Sequence, residues 1–234
     1  MARKRRQRPE SDRIEIERNI IERSLMQAKS FVRNNRKLVL NSFLGLLVLA
    51  VVIIAALFII DTIENRDQKR FEKIMREYAE YSSTGNRENM KRVVRDLEQF
   101  IDTSYFGFPH AMGYYVLGNI YFDEKDYKKA RQLLRRYADR HASSLLAAIA
   151  LLKAAIACEE MNDLKSALGI YRRLEDDYAD SVIADQIYFN FARVSGKTND
   201  MVNARRYYNK IVSSFPDSSF AAAARARLFM LGAR

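Results

Sequence analysis

The chain has 234 residues, enough for one domain of ordinary size and a substantial further segment. Eight Gly, three Pro, no Trp and one Cys exclude a collagen-like chain and an internal disulfide framework, and count against a β-sandwich. Forty Lys+Arg stand against 29 Asp+Glu, a net +11, and two His with one Cys are too few for a conventional zinc site.

Residues 1–37 hold 12 Lys+Arg against 5 Asp+Glu, a net +7. The run Arg3-Lys4-Arg5-Arg6-Gln7-Arg8 has the composition of a nucleic-acid patch. With an apolar stretch following, it reads instead as a topogenic tail that touches anionic headgroups. Ile14, Ile21, Leu25, Ala28 and Val32 then recur in steps of seven, four, three and four, which is helical periodicity. This amphipathic strip fits either the inner leaflet or a partner helix.

From Leu38 to Ile60 there are 23 residues without a charge, and only Asn41 and Ser42 are polar. A helix of that length covers about 35 Å, against about 30 Å for a bilayer's hydrocarbon core. A buried soluble helix would carry a polar face. A cleaved signal peptide would have a shorter apolar region nearer the N-terminus and a small-residue cleavage site, which Phe58-Ile59-Ile60-Asp61 does not offer. Residues 38–60 are therefore expected as a transmembrane helix. The 174 residues after it hold 28 Lys+Arg against 24 Asp+Glu, so the positive-inside bias places the tail in the cytoplasm and the C-terminal part across the membrane. Residues 61–66 are expected as a short linker that keeps the domain of 67–234 close to the membrane.

That domain is repetitive. Asp126-Tyr127-Lys128-Lys129-Ala130 recurs as Asp163-Leu164-Lys165-Ser166-Ala167 and as Asp200-Met201-Val202-Asn203-Ala204, 37 residues apart each time. Asn89 to Val93 is a weaker copy one step earlier. Leu97, Leu134, Tyr171 and Tyr208 share a column, as do Ser144, Ser181 and Ser218. Each repeat reads as two helices. In the clearest one Pro109 can start the first helix, and Asp126 caps the second. Gly118, Ala155 and Ala192, with Ala130, Ala167 and Ala204, supply the small residues that two closely packed helices require. One helix pair cannot bury both its faces, so the repeats must stack. Phe71, Ile74, Tyr78 and Tyr81 are expected to pair with Met90, Val93, Val94, Leu97 and Phe100 as the first pair.

Tyr114, Leu117, Gly118 and Tyr121, followed by Ala130 and Leu134, resemble the tetratricopeptide repeat over residues 67–231. The likeness is good in 111–142, fair in the next two repeats and poor in the first. The step of 37 residues also departs from the family's usual 34 or so. The resemblance implies an all-α fold: a tetratricopeptide-like α-solenoid of about four helix pairs plus a C-terminal helix, preceded by the transmembrane helix. The punctuation Phe215-Pro216-Asp217-Ser218 is similar to that of two bacterial envelope proteins, the outer-membrane assembly lipoprotein and the Tol–Pal coordinator. The layout of tail, span and exported repeats is similar to the ancillary chaperone subunit of the Sec translocon.

In this family the first helices line a concave groove. By register, the resemblance assigns it Met112, Tyr115, Asn119 and Phe122, then Leu152 and Ile156, then Gln186, Phe189 and Arg193, an apolar surface suited to a peptide. The family's carboxylate clamp is not evident, because only Asn119 and Arg193 could contribute. The terminal helix around Phe220 to Leu231 is unusually apolar. Either it is a docking or self-association surface, or Phe220, Ala224 and Leu228 cover the last repeat while Phe229 and Met230 fold down.

Catalysis has little support: phosphate loops need clustered Gly, and there is no such run. Cys158 falls in a core column, His141 in an inter-repeat packing column with Tyr178 and Phe215, and His110 has no acid partner at a useful spacing. Glu159, Glu160, Asp176 and Asp177 read as solvated helix-end charges. No enzyme, cofactor, metal or nucleic-acid partner is expected.

The expected protein is an inner-membrane, single-pass scaffold with its C-terminal domain periplasmic or otherwise extracytoplasmic. It would bind proteins or peptides, such as translocon or envelope-assembly components, and is open to self-association. The alternatives are a structural oligomer without clients and, last, cytosolic repeats as in mitochondrial import receptors, which would require the basic tail to cross the membrane.

Overall fold

The structure is a computed structural model that describes the backbone of residues 10–84 and 87–232, and the side chains of 22–81 and 88–232. The basic run at 3–8, and the side chains of Ile14 and Ile21, lie outside the described residues. The described elements are all helices: α1 (Glu10–Asn34), α2 (Arg36–Thr84), α3 (Arg87–Thr103), α4 (Gly107–Asp123), α5 (Tyr127–Arg140), α6 (Leu145–Glu160), α7 (Leu164–Tyr178), α8 (Ala184–Lys197), α9 (Met201–Ser214) and α10 (Ala221–Gly232). Two compact units result, Met1–Thr62 and Ile63–Arg234.

The N-terminal unit contains α1 and the first part of α2. Every side chain from Leu40 to Ile60 is exposed. The mean hydropathy over the most apolar 18 residues is 3.3, and the helix is long and apolar enough to cross a membrane. Residues 61–66, expected as a linker, are helical and belong to α2. The reason is local: from Asp61 to Thr84 there is neither Gly nor Pro to interrupt the ladder of backbone hydrogen bonds.

In the C-terminal unit the last part of α2 pairs with α3. Phe71 and Ile74 pack with Val93, Leu97 and Phe100, and Tyr78, Met90 and Val94 are partly buried around them. Three further pairs follow, α4 with α5, α6 with α7 and α8 with α9, and α10 packs on α9. This is an all-α solenoid of paired helices. The helix α4 starts two residues before Pro109, which occupies its first turn, where a missing N–H costs nothing.

Each of the last three pairs is closed by the same three-residue turn. Lys125, Asn162 and Asn199 take positive φ of 65°, 56° and 64°. Asp126, Asp163 and Asp200 follow, and their side chains accept from the N–H of Lys129, Ser166 and Asn203 at 3.1 Å each. Each such cap stabilises its helix by about 1 kcal/mol. The longer connections, 141–144, 179–183 and 215–220, join one pair to the next. There the Tyr178 hydroxyl donates to the Ala142 carbonyl at 2.5 Å, and Ser218 donates to Asp185 at 2.5 Å.

The small-residue columns mark where paired helices approach. Ala130, Ala155, Ala167, Ala192 and Ala204 are all fully buried. A Cβ on Gly118 would fall 2.8 Å from Leu134 Cγ and 3.2 Å from the Leu134 backbone nitrogen. Around Gly169, within α7, there is nothing within 4 Å. Gly118→Ala is therefore expected to destabilise the domain by about 1–3 kcal/mol, because the overlap outweighs the helix-propensity gain. Gly169→Ala keeps only that gain and is expected to stabilise by about 0.5–1 kcal/mol. Urea unfolding midpoints of the two variants should move in opposite directions.

Candidate functional site

The first helices of the last three pairs, α4, α6 and α8, are bridged side by side by polar side chains. Lys153 on α6 donates from Nζ to Asn119 Oδ1 on α4 at 2.6 Å, lies 3.7 Å from Asp123, and sits 4.8 Å from the centre of the Phe122 ring. One helix further, Arg193 on α8 grips Glu159 on α6 through both carboxylate oxygens, at 2.6 and 2.8 Å. It also donates to Asn190 Oδ1 at 2.9 Å.

The Glu159 carboxylate is the hub of this face. Its side chain is 4% exposed, and it further accepts from the Tyr171 hydroxyl at 2.8 Å and pairs with Lys197 at 3.4 Å. This corrects the expectation of a solvated helix-end charge. One carboxylate oxygen pair satisfies a phenol, a guanidinium and an ammonium, so its burial is compensated. Burial, reinforced by the Glu159 charge, pushes the Tyr171 phenol well above its ordinary value. Burial works against the Arg193 cation, yet the Glu159 hydrogen bonds hold its pKa above the usual value.

The residues assigned to the groove by register divide into three groups. Asn119, Phe122 and Arg193 are half-buried members of the polar bridges. Tyr115 and Phe189 are half-buried but lean on their own pair's second helix, Tyr115 against Tyr137 at 5.1 Å and Phe189 against Tyr208 at 5.8 Å between ring centres. Met112, Ile156 and Gln186 are half-buried on the same helices. Leu152 is 5% exposed and belongs to the core. That one is a correction: Leu152 packs into the same core cluster as its neighbour Leu151.

Sequence reasoning missed Lys153 and Lys197. Lys153 lies 34 residues after its partner Asn119, whereas the sequence columns step by 37, so the bridge crosses between columns. Its signal was a lone cation in the apolar helix Leu145–Glu160. A pocket of about 410 Å³ lies at the end of this face, lined by Arg193, Gly196, Lys197, Tyr208, Arg227 and Met230 among others.

The residues weighed for catalysis are engaged in packing. Cys158 is fully buried, and burial pushes its thiol up. His141 stacks on Tyr137 with ring centres 5.3 Å apart. His110 is buried in the first turn of α4, with Nε2 2.5 Å from Arg140 Nη1 and its ring edge-on to Tyr114. Among the described residues no group of His, Cys, Asp and Glu could hold a metal ion.

Residues 113–140 match one tetratricopeptide-repeat model, and residues 149–181 and 186–218 match a second. These three segments of the chain are tetratricopeptide repeats. A crystal structure of nearly identical TPR-like repeats, of kinesin light chain type, from Podosopora anserina shares its fold with a TM-score of 0.53. Identity is 14%, and the match covers 71% of this chain and 85% of the other. No curated protein matches the chain significantly. Tetratricopeptide domains bind protein partners, which makes the face of α4, α6 and α8 the place to look for one.

Two outcomes follow from the geometry. Glu159→Ala leaves the half-buried Arg193 and the Tyr171 hydroxyl without their acceptor, and is expected to cost about 2–4 kcal/mol in urea unfolding. Glu160→Ala, at its exposed neighbour, should stay within about 0.5 kcal/mol. The second concerns pH. Burial, then the Arg140 charge, lowers the His110 pKa, with Asp67 opposing. A lowered folded-state value means that the unfolded chain binds the proton more readily. Stability is then full above about pH 6.5 and falls as the pH drops through the lower folded value. Urea midpoints measured between pH 7.5 and 5 should decline in the parent chain, and His110→Gln should remove the part of that decline due to this imidazole.

Proposed function

We propose that this tetratricopeptide-repeat protein is a membrane-anchored scaffold, not an enzyme, whose repeats bind proteins or peptides outside the cytoplasm. The observation that carries this reading is the joining, in one chain, of three matched repeats to an uncharged apolar run of 23 residues. Anchoring raises the effective concentration of the binding face at the membrane surface. The net +7 of residues 1–37 supports a cytoplasmic N-terminus and an extracytoplasmic solenoid at the inner membrane. The likeness in layout and punctuation to the translocon ancillary subunit and the envelope-assembly proteins supports a role in secretion, periplasmic chaperoning or envelope assembly. The non-enzymatic reading is supported by the packing roles of Cys158, His110 and His141.

The face offers cationic and amide groups, Lys153, Arg193, Lys197 and Asn119, beside half-buried Met112, Ile156, Phe122 and Gln186. Such a surface suits a peptide with apolar side chains and acidic or carbonyl groups between them.

A second reading has its own observation. Ala221 and Ala224 are buried on the last pair with Phe220, Leu228 and Leu231 partly buried, but Phe229 is 79% and Met230 59% exposed. Of the two arrangements the sequence left open, Phe229 and Met230 do not take the folded-down one, because the buried side of α10 is already filled by its alanines. An apolar end of this kind fits a structural oligomer.

Photo-crosslinkers placed at Gln186 and, separately, at Phe229 in intact cells distinguish the two. Capture of translocon, chaperone or envelope-assembly proteins at Gln186 is the expected outcome. Capture of the chain's own copies alone, and only at Phe229, would replace the scaffold by the oligomer.

A further inference from the structure

We propose that the loop between α3 and α4 is a second membrane contact, in which Tyr105 and Phe106 insert among the lipid headgroups. The proposal rests on the membrane-anchored reading above.

The loop is short and its ends are tied down. The Ser104 N–H donates to the Phe100 carbonyl at 2.8 Å, and Ser104, Pro109 and His110 are all buried. Between these fixed ends the sequence Tyr105-Phe106-Gly107-Phe108 holds three aromatic residues facing outward. Tyr105 is 77%, Phe106 40% and Phe108 62% exposed. Three aromatic rings within four residues are a large apolar area to leave in water, and the fixed ends prevent the loop from folding them inward.

Its position within the C-terminal unit indicates what receives them. Thr103 meets the Arg70 guanidinium at 3.3 Å, and a Cβ built on Gly107 would stand 3.0 Å from Glu64 Oε1. The chain thus descends along α2 from residue 70 to residue 64 before turning into α4. Gly107 has a φ of 85°, which lets the backbone make that turn. Glu64 is four residues after Ile60, the last of the apolar run. Four residues reach at most about 14 Å however the chain runs between them. The headgroup zone begins where the hydrocarbon ends and is about 5–8 Å thick on each side. Covalent connection alone therefore keeps Glu64, and the loop that turns beside it, within reach of the bilayer surface. Tyr and Phe are suited to that zone, with a flat apolar ring and, in Tyr, a hydroxyl for the wet side. Such a contact would hold the first helix pair against the membrane in addition to the anchor itself.

The chain has no Trp, so one introduced Trp reports one position. Full-length Tyr105→Trp, Leu47→Trp and Val182→Trp would each be reconstituted in phosphatidylcholine vesicles, with and without bromine, placed near the carbonyl end of the acyl chains for Tyr105→Trp and Val182→Trp and near their methyl end for Leu47→Trp. Val182, 83% exposed between α7 and α8, reports water. Quenching of Tyr105→Trp by bromine clearly above that of Val182→Trp, with a blue-shifted emission, is expected. If Leu47→Trp is quenched while Tyr105→Trp matches Val182→Trp, the loop contact is overturned and the anchor stands. A blue shift at Tyr105→Trp without quenching would mean cover by protein and would also overturn it. No quenching at Leu47→Trp would overturn the anchor and the loop contact together.

Discussion

Two helices joined by a three-residue turn must pass within touching distance of each other, and the repeat domain depends on how that approach is accommodated. Gly118 lies where any side chain would strike Leu134, and fully buried alanines take the corresponding places in the later pairs. With the helices this close, the bulky residues are displaced to either side. Tyr171, Leu174, Tyr188, Phe191 and Tyr207 then fill the space between one pair and the next. Tyr171 of one pair stacks on Phe191 of the next with ring centres 6.0 Å apart, and Phe191 stacks in turn on Tyr207 at 4.2 Å. A single pair could not bury these rings. Stacking is thus a consequence of close pairing rather than an additional feature.

Stacking in turn decides what the polar residues of the first helices do. Charges that would face water on an isolated α6 lie beside the next repeat, where they are partly desolvated and must find partners. Glu159 finds three, and Lys153 reaches an amide, a carboxylate and an aromatic ring. The second helices are cross-linked in the same manner, Arg173 to Asp139 at 2.5 Å and the Tyr207 hydroxyl to Glu175 at 2.5 Å. The face available to a protein partner is therefore a prearranged polar network with apolar side chains between its members, not a bare hydrophobic groove.

Much of this was legible beforehand, because it depends on spacing. The 37-residue step placed the aspartate caps, the small-residue columns and the paired helices, since each of these needs a given residue type at a given interval. What was not legible depends on a neighbour. Leu152 and Ile156 look alike in sequence, yet Leu152 is covered and Ile156 is not. Glu159 and Glu160 are adjacent and identical, and one helix position of about 100° separates a buried hub from an exposed charge. Lys153 escaped notice because its bridge spans 34 residues, between the sequence columns. The expected linker at 61–66 was inferred from polarity, but polarity alone does not end a helix, and no Gly or Pro interrupts this one there.

The sequence by itself determined that the chain is helical and repetitive, where the second helix of each of the last three pairs begins, and that one run is too apolar to face water. Those properties follow from local propensity, periodicity and the absence of Gly and Pro, and none requires knowledge of a second element. The tertiary structure alone decided which member of each similar pair is buried, which cations meet which carboxylate, and which apolar side chains of α10 and of the α3–α4 loop remain exposed. Those outcomes follow from desolvation and contact, which are properties of the space between elements and are not encoded in any one of them.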